Sequence, residues 1–259
     1  MRSLDHRVAL VTGASGGIGA AAAVRLAREG AAVGVHYHRR EESARKVAEE
    51  IRKLGSEAFL VQGNLVHAPE AEKVVRALLD RFGRIDILVN VTGGAKDCLI
   101  QEMTDETWNE IIDLNVKTAF HCVRAAVPLM MEKKYGRIIN ISSLAKNGVP
   151  WFVYARAGRT NYAAANAALV GFTRQLSLEL AEYNITVNCV VPGPIWMAKT
   201  EKAFTPLENN PEVKVPPTKL IPLRRYGTPE DVAYAITFFD TEEAGYITGE
   251  ELYVSGGLH

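Results

Sequence analysis

The stretch that decides the fold is Thr12-Gly13-Ala14-Ser15-Gly16-Gly17-Ile18-Gly19. It follows a short apolar run at residues 8–12 and opens a segment with helical spacing at residues 20–29. Glycines let a backbone turn tightly and approach a pyrophosphate, and the free N–H groups at a helix start bind anions. A glycine cluster between a strand and a helix therefore predicts the first unit of a dinucleotide-binding βαβ fold.

The alternation of apolar runs and helical patterns continues along the chain. It predicts strands at residues 8–12, 32–36, 58–62, 85–90, 137–142, 186–191 and 251–254. It predicts helices at residues 20–29, 41–54, 69–82, 105–130, 162–183 and 229–239. Continuous apolar strands are typical of a parallel sheet covered on both faces. We therefore predict one α/β domain over residues 1–259, a Rossmann-type doubly wound parallel sheet with helices on both faces.

One segment, residues 196–222, departs from this rhythm. It contains five prolines, the last at position 222, and little apolar periodicity. Long irregular segments in compact domains are often lids or binding loops, and ligands bind at the carboxyl ends of strands in such folds. We predict a substrate loop here, with a surface excursion as the alternative.

Composition narrows the class of protein. Hydrophobic residues make up 47% of the 259 residues and charged residues 23%, as in soluble globular proteins. Thirty basic and thirty acidic residues cancel, so no net charge attracts nucleic acid or an anionic membrane surface. No signal-peptide pattern or membrane-spanning apolar run is visible, and we predict a cytoplasmic protein.

Three cysteines, Cys98, Cys122 and Cys189, are far apart and show no Cys-x-x-Cys spacing. This pattern indicates small buried side chains in a reducing compartment. We predict no metal site.

The glycine stretch resembles the Thr-Gly-x-x-x-Gly-x-Gly motif of the short-chain dehydrogenase/reductase family. Further motifs in the family's order are Asn64-Leu65, Asn90-Val91-Thr92-Gly93, Asp113-Leu114-Asn115-Val116, Asn140-Ile141-Ser142-Ser143, Pro192-Gly193-Pro194-Ile195, Gly227-Thr228-Pro229-Glu230-Asp231-Val232-Ala233, Tyr246-Ile247-Thr248-Gly249 and Val254-Ser255-Gly256-Gly257. The resemblance covers nearly the whole chain and is greatest to the 3-oxoacyl-carrier-protein reductase branch. It implies cofactor contacts at Gly13, Ser15, Gly17, Ile18, Gly19, Asn64, Leu65, Asn90, Gly93, Pro192, Gly193 and Ile195.

The choice of cofactor depends on the end of the second predicted strand. A carboxylate there would bind the ribose 2′-hydroxyl of NAD and repel a 2′-phosphate. This chain instead has His38-Arg39-Arg40, with no acid before Glu41. Either arginine could meet a phosphate with charge-assisted hydrogen bonds, so we favour NADP(H) over NAD(H). A merely solvated basic turn is the alternative.

Reduction of a ketone requires a proton for the developing alkoxide and a donor that polarises the oxygen. The resemblance implies that Tyr162 donates the proton, that Ser143 polarises the oxygen and that Asn115 supports a water relay. Ser142 precedes the position where the family places its serine.

The family's Tyr-x-x-x-Lys motif is Tyr162-Ala163-Ala164-Ala165-Asn166 in this chain. Residues four apart share one helix face, so in the family the lysine cation lies near the phenol and lowers its pKa. A neutral phenol already carries the proton that reduction needs, whereas oxidation needs tyrosinate. We therefore expect a reductase if the chain is redox-active. The amide of Asn166 could bind a ribose hydroxyl but brings no charge.

Two further departures adjoin this motif. Ser143 and Tyr162 are separated by more residues than in close relatives, and the extra segment holds Trp151, Phe152, Tyr154, Arg156 and Arg159. These residues could shape a pocket for a bulky substrate, one arginine could replace the absent ammonium, or the segment could be an oligomer contact or a solvated loop. Met197, beside Trp196, stands near a threonine position that in many relatives contacts the nicotinamide carboxamide.

Three functions remain open from the sequence. The first is NADP(H)-dependent reduction of a ketone, such as an acyl thioester or polyketide-like compound. The second is non-redox chemistry in the same fold, such as dehydration, isomerisation or cyclisation. The third is a binding protein without catalysis. The resemblance also implies a homotetramer or homodimer formed through long central helices, and the apolar content of residues 164–180 is compatible with this.

Overall fold

The computed structural model describes residues 3–148, 158–209 and 215–259. Within them, seven parallel strands form one sheet in the order β3-β2-β1-β4-β5-β6-β7. The strands are β1 (Val8–Val11), β2 (Ala32–Tyr37), β3 (Ala58–Gln62), β4 (Ile87–Asn90), β5 (Gly136–Ile141), β6 (Ile185–Pro192) and β7 (Glu251–Val254). The helices are α1 (Gly17–Arg28), α2 (Glu41–Lys53), α3 (Ala68–Phe82), α4 (Asp105–Ile112), α5 (Thr118–Lys133), α6 (Thr160–Leu180), α7 (Ala198–Asn209), α8 (Pro217–Leu220) and α9 (Pro229–Asp240). The predicted Rossmann-type α/β fold is confirmed.

Helices cover the sheet on both faces because successive strand residues point to opposite sides. Ala9 and Val11 of β1 belong to a core with α1, α2 and α9. Val8 and Leu10 belong to a second core with α3 and α5. All four side chains are buried, which explains why β1 reads as a continuous apolar run.

The predicted long helix at residues 105–130 is wrong in one respect. The chain forms α4, one wide π-helical turn at Asp113–Lys117, and then α5. Within this turn the side-chain amide of Asn115 donates to the carbonyl oxygen of Ile111 at 2.8 Å. π-turns occur frequently at functional sites. The other predicted elements end within three residues of the observed ones.

The expectation of an irregular segment at residues 196–222 is also wrong for its described part. Residues 198–209 form α7 despite the proline at position 206, and α8 adds one further turn. Phe204 and Leu207, one helical turn apart, are buried against Leu144. Tertiary packing therefore stabilises a helix whose sequence has weak periodicity.

The three cysteines are free thiols. Burial raises the pKa of both Cys122 and Cys189 to about 12, which keeps these two side chains unreactive. None of the helices that the structure describes has the length and apolar character needed to cross a membrane.

Candidate active site

The predicted site residues gather at the carboxyl edge of the sheet. Between β1 and β4 the strand order reverses direction, and in doubly wound folds ligands bind at such a point. The loop after β1 carries the glycine stretch, and the loops after β4, β5 and β6 carry the other motifs. The fold thus brings together residues that are far apart in the sequence.

The glycine turn lies against the end of β4 in a conformation that depends on glycine. Gly13 has a φ of 65°, and a Cβ there would lie 3.3 Å from Cα of Thr92. Helix α1 begins after Gly16 without a side-chain cap, so its first N–H groups are free to donate hydrogen bonds to an anionic ligand. Two buried oxygens nearby, Oδ1 of Asn90 and Oγ1 of Thr92, have no hydrogen-bond partner in the part of the chain that the structure describes. These features fit a dinucleotide at this turn.

Arg40 is the basic residue that the structure places beside the glycine turn. Its Nη1 lies 3.5 Å from the position that a Cβ on Gly16 would occupy. His38 and Arg39 are exposed on the same short connection between β2 and α2. Arg40 can therefore reach a phosphate group bound near Gly16. His38 and Arg39 directly precede it in the chain.

The loop after β3 is held on two sides. The backbone N–H of Asn64 donates to Oε2 of Glu70 at 2.6 Å, and Oδ1 of Asn64 accepts from Val66 at 3.3 Å. Leu65 is buried, and its carbonyl oxygen lies 3.0 Å from Nδ1 of the buried His121 on α5. The loop with the predicted cofactor contacts Asn64 and Leu65 is thus held by contacts of its own.

Sequence reasoning missed the role of His36, the buried residue near the end of β2. Its Nδ1 accepts from the N–H of Gly13 at 3.0 Å, and its Nε2 lies 3.0 Å from the carbonyl oxygen of Gly63. Burial lowers the pKa of His36 to about 4, so the ring is neutral at physiological pH. A histidine within a strand has no local signal for this role, because both partners come from other loops.

Asn115 fixes the segment after β4. Its side-chain oxygen accepts from the N–H of Gly94 at 3.2 Å, and its amide donates to the carbonyl oxygen of Gly94 at 2.8 Å. A Cβ on Gly93 would lie 2.6 Å from Oδ1 of Asn115, so only glycine allows this contact. In this structure the buried Asn115 shapes the loop that borders the site.

The two serines at the end of β5, Ser142 and Ser143, make different hydrogen bonds. Oγ of the buried Ser142 donates to the carbonyl oxygen of Asn166 at 2.8 Å. Ser143 begins a 3-10 turn at Leu144–Asn147, and its Oγ accepts from the N–H of Ala145 at 3.2 Å. The hydroxyl proton of Ser143 is therefore not consumed by this contact and can be donated.

The amide of Asn166 is engaged within its own helix. It is only 2% exposed, and its Nδ2 donates to the carbonyl oxygen of Tyr162 at 2.8 Å. Together with the bond from Ser142, this contact fastens the first turn of α6 to the end of β5. Tyr162 is half-buried in that first turn. The arrangement puts Ser143 and Tyr162 on adjoining segments.

A second set of contacts fixes the start of α6. The side-chain oxygen of the buried Asn161 accepts from the N–H of Tyr162 at 2.8 Å. Arg159 forms two contacts with Asp97, at 2.8 and 2.9 Å, and its guanidinium carbon lies 5.9 Å from the ring centroid of Tyr162. The N–H of Cys98 donates to the carbonyl oxygen of Gly158 at 2.8 Å. The charge of Arg159 is therefore paired with Asp97.

The segment after β6 forms another side of the site. The N–H of Gly193 donates to the carbonyl oxygen of Val254, and a Cβ on Gly193 would lie 2.8 Å from Cα of Ser255. Pro192 ends β6, and Ile195 is buried. The sulfur of Met197 lies 2.9 Å from the position of a Cβ on Gly17, so this side chain touches the start of α1.

Aromatic residues connect α7 to this segment. Tyr226 lies 4.8 Å from Phe204 and 5.2 Å from Trp196 between ring centroids, and its hydroxyl donates to Glu208 at 2.5 Å. Glu208 also accepts from the N–H and hydroxyl of Thr218. The predicted aromatic residues Trp151, Phe152, Tyr154 and the accompanying Arg156 lie outside the described residues.

The fold and this site define a dinucleotide-binding oxidoreductase of the Rossmann type. Residues 13–259 match the family model described as Enoyl-(Acyl carrier protein) reductase. The chain belongs to the short-chain dehydrogenase/reductase family. Its relatives indicate an oxidoreductase that reduces a carbonyl group.

Known relatives match over their whole length. The chain is 43% identical to a 3-oxoacyl-[acyl-carrier-protein] reductase of Synechocystis sp., over 100% of this chain and 99% of that protein. It is 41% identical to the short-chain dehydrogenase/reductase FrzI of Cladobotryum sp., over 99% and 97% of the two chains. A mutant of a Serratia marcescens short-chain dehydrogenase/reductase superposes with a TM-score of 0.88 at 32% identity, covering 98% of each chain.

Proposed function

We propose that this chain is an NADP(H)-dependent reductase that converts a ketone, of the 3-oxoacyl thioester or polyketide-like kind, into an alcohol. The observation that carries the proposal is the junction of Ser142, Asn166 and Tyr162, whose two 2.8 Å hydrogen bonds fasten α6 to the end of β5. This junction sets the hydroxyls of Ser143 and Tyr162 on adjoining rigid segments. The name of the Synechocystis relative supports the acyl thioester as substrate.

Tyr162 and Ser143 divide the work on the substrate oxygen. The phenol of Tyr162 gives its proton to the oxygen as negative charge develops there, and the hydroxyl of Ser143 donates a hydrogen bond to the same oxygen. Asn115 acts indirectly, by holding the segment at Gly94 that borders the substrate. Because hydrogen bonds hold the backbone segments that carry both donors before substrate binds, little reorganisation of these segments is needed during the reaction.

The cofactor residues form a second group. Bound NADPH supplies the hydride. Gly17, Ile18 and Gly19 bring the start of α1 to the pyrophosphate, while Asn90, Gly93, Pro192, Gly193 and Ile195 border the nicotinamide side. Arg40, with His38 and Arg39 next to it, binds the 2′-phosphate, and Asn64 and Leu65 border the adenine. The guanidinium beside Gly16 supports NADP(H) over NAD(H), since a 2′-phosphate there gains a charge-assisted contact.

The segment at residues 196–222 serves as the substrate side of a catalytic unit that spans residues 1–259. Its support is the apolar cluster of Phe204, Leu207 and Leu144, since Leu144 directly follows Ser143. These three side chains are buried, so they anchor α7 beside the segment that carries Ser143.

Non-redox catalysis is the second candidate. It is favoured by one observation: the amide of Asn166 is bonded within its own helix and brings no cation to the site. Met197 lies against Gly17, near a position where many relatives have a threonine, and this difference from the relatives is on the cofactor side of the site. Under this alternative the substrate turns over without net consumption of NADPH. A binding protein without catalysis would keep its function after Tyr162→Phe.

The test is NADPH consumption at 340 nm with a short 3-oxoacyl thioester and a panel of ketones. We expect the unmodified protein to oxidise NADPH, with losses of at least about 100-fold in Tyr162→Phe, which removes the general acid. Ser143→Ala should lose activity in the same assay. Product formation without loss of NADPH would favour non-redox catalysis over the proposed reduction. Failure to bind NADP(H) would exclude both the reductase and the non-redox enzyme that uses the same nucleotide site.

The chain also has a surface suited to self-association, as a homodimer or homotetramer. Phe120 on α5 is 41% exposed and Leu178 on α6 is 75% exposed. Exposed large apolar side chains on two long helices support an interface with a second copy. Light scattering after gel filtration tests this: Leu178→Glu should lower the molar mass if the helices form the interface.

A further inference from the structure

Histidine 36 connects three segments that the proposed NADP(H) site uses. Its ring accepts a hydrogen bond from the N–H of Gly13 and faces the carbonyl oxygen of Gly63, each at 3.0 Å. A carbonyl oxygen can only accept, so Nε2 carries the proton and Nδ1 keeps its lone pair for Gly13. The contacts therefore select one neutral tautomer.

Both partners lie in segments assigned to the adenosine half of the cofactor. Gly13 is the first glycine of the turn before α1 and needs a positive φ of 65°. Gly63 directly precedes Asn64-Leu65. His36 itself lies two residues before His38, where the basic connection to α2 begins. The N–H of Ala14 also donates to the carbonyl oxygen of His36 at 2.9 Å, so side chain and backbone hold the same turn.

The contact at Gly13 is costly to lose. His36 is 2% exposed, so removal of its ring would leave the N–H of Gly13 and the carbonyl oxygen of Gly63 with no partner in a buried region. Buried backbone groups without partners are strongly disfavoured, and the two loops would shift to find others.

We propose that His36 is a positioning residue that sets the glycine turn and the loop after β3 at the spacing required by the adenosine half of NADP(H). The proposal rests on the proposed cofactor. His36 acts through Gly13 and Gly63, and its own contacts do not extend to Ser143 or Tyr162. Its loss should therefore weaken binding of the adenosine half and leave the chemical step nearly unchanged.

Three substitutions separate the two contacts of the ring. In His36→Asn the amide oxygen stands at the place of Nδ1 and can still accept from Gly13. In His36→Gln the amide reaches the place of Nε2 and can still donate to Gly63. His36→Leu removes both contacts. Val33→Ala is the matched control. Val33 is also fully buried in β2, but its side chain packs in the apolar core with α1, α2 and α9.

The measurements are calorimetric titration with 2′,5′-ADP and NADP+, hydrogen exchange of the Gly13 amide by NMR, and kcat at saturating NADPH. We expect His36→Leu to raise the Kd for 2′,5′-ADP about 10-fold or more, and His36→Asn and His36→Gln about 3-fold each, from the usual effect of one or two hydrogen bonds. Val33→Ala should stay within about 2-fold. The Gly13 amide should exchange faster in His36→Leu and His36→Gln than in His36→Asn.

Two results would overturn the proposal. One is an unchanged Kd and unchanged Gly13 exchange in the histidine variants, and the other is equal weakening by Val33→Ala. If His36→Leu does not fold, the Asn and Gln pair decides. If the unmodified protein does not bind 2′,5′-ADP, the proposed cofactor fails, and Gly13 exchange alone decides whether His36 holds the turn.

Discussion

Asn166 donates a 2.8 Å hydrogen bond from its side-chain amide to the carbonyl oxygen of Tyr162, one turn earlier in α6. Asn166, which the family resemblance aligns with the lysine of the Tyr-x-x-x-Lys motif, is thus buried and bonded within its own helix. Its backbone carbonyl accepts from Ser142, so Asn166 holds α6 to the end of β5. Its role in this structure is to fix the position of Tyr162, and it carries no charge.

Asn166→Lys should restore oxidation more than reduction. A nearby ammonium typically lowers the pKa of an acid by about 1–3 units, and oxidation requires the deprotonated phenol. We expect NADP+-dependent oxidation of the alcohol product to rise at least about 10-fold relative to NADPH-dependent reduction. Both directions can be followed at 340 nm. Asn166→Met is the control, since it removes the amide without adding charge, and equal behaviour of the two variants would contradict the electrostatic argument.

Arg40→Ala should reduce the preference for NADPH over NADH. The guanidinium lies beside Gly16, where it can bind a 2′-phosphate, and hydrogen bonds to charged groups contribute about 1.5–3 kcal/mol. We expect the ratio of the two Kd values to change by about 10- to 100-fold, through NADPH alone. Arg39→Ala, on the same turn, provides the comparison. A larger effect at Arg39 would reassign the phosphate contact to that residue.

Asp240→Asn should stabilise the protein at neutral pH. Asp240 is fully buried, and neither carboxylate oxygen has a hydrogen-bond partner among the described residues. Burial raises its pKa well above the ordinary value despite the nearby Arg137. Because the folded state binds this proton more tightly than the unfolded state, stability is lost as the pH rises through the folded pKa. We expect a gain of about 1–3 kcal/mol in the free energy of unfolding at pH 8.

Urea titrations at several pH values test this expectation. The gain from Asp240→Asn should shrink as the pH falls to about 3, where the carboxyl is mostly protonated in both states. Glu243→Gln is the matched control, since Glu243 is an exposed acid near the end of the same helix. A gain that does not depend on pH would mean that packing, and not charge burial, limits stability at this position.

Tyr226→Phe should loosen α7. The Tyr226 hydroxyl donates to Glu208 near the end of α7. Burial is the larger cause, and this hydrogen bond the second, of the raised pKa of Tyr226. Its loss leaves the Thr218 contacts of Glu208 in place, so we expect about 1–2 kcal/mol less local stability.

Hydrogen exchange across Ala198–Asn209 measures this directly, and exchange should rise there and stay constant in α6. Tyr246→Phe is the comparison, because Tyr246 is fully exposed. Unchanged exchange in α7 after Tyr226→Phe would show that the aromatic packing alone holds this helix.

The long helix around Asn115 and the segment at residues 196–222 show where local pattern misleads. Apolar spacing predicts a continuous helix at residues 105–130, but the contacts of Asn115 with Gly94 accompany a wide turn that divides it. Five prolines and weak periodicity predict a loop, but burial of Phe204 and Leu207 stabilises a helix. In both cases the deciding contacts join residues distant in sequence.

The sequence by itself determined the parallel α/β sheet and the glycine turn, because these follow from residue order, apolar periodicity and motif spacing. Its resemblance to the family singled out Ser143, Asn115, Tyr162 and Asn166 as candidate site residues. Only the tertiary structure decided that Asn166 bonds within its helix, that Arg159 pairs with Asp97 and that His36 joins the glycine turn to the loop after β3. These are contacts between the ends of different strands and helices. Side-chain hydrogen bonds of this kind depend on distances of about 3 Å, which sequence spacing does not set.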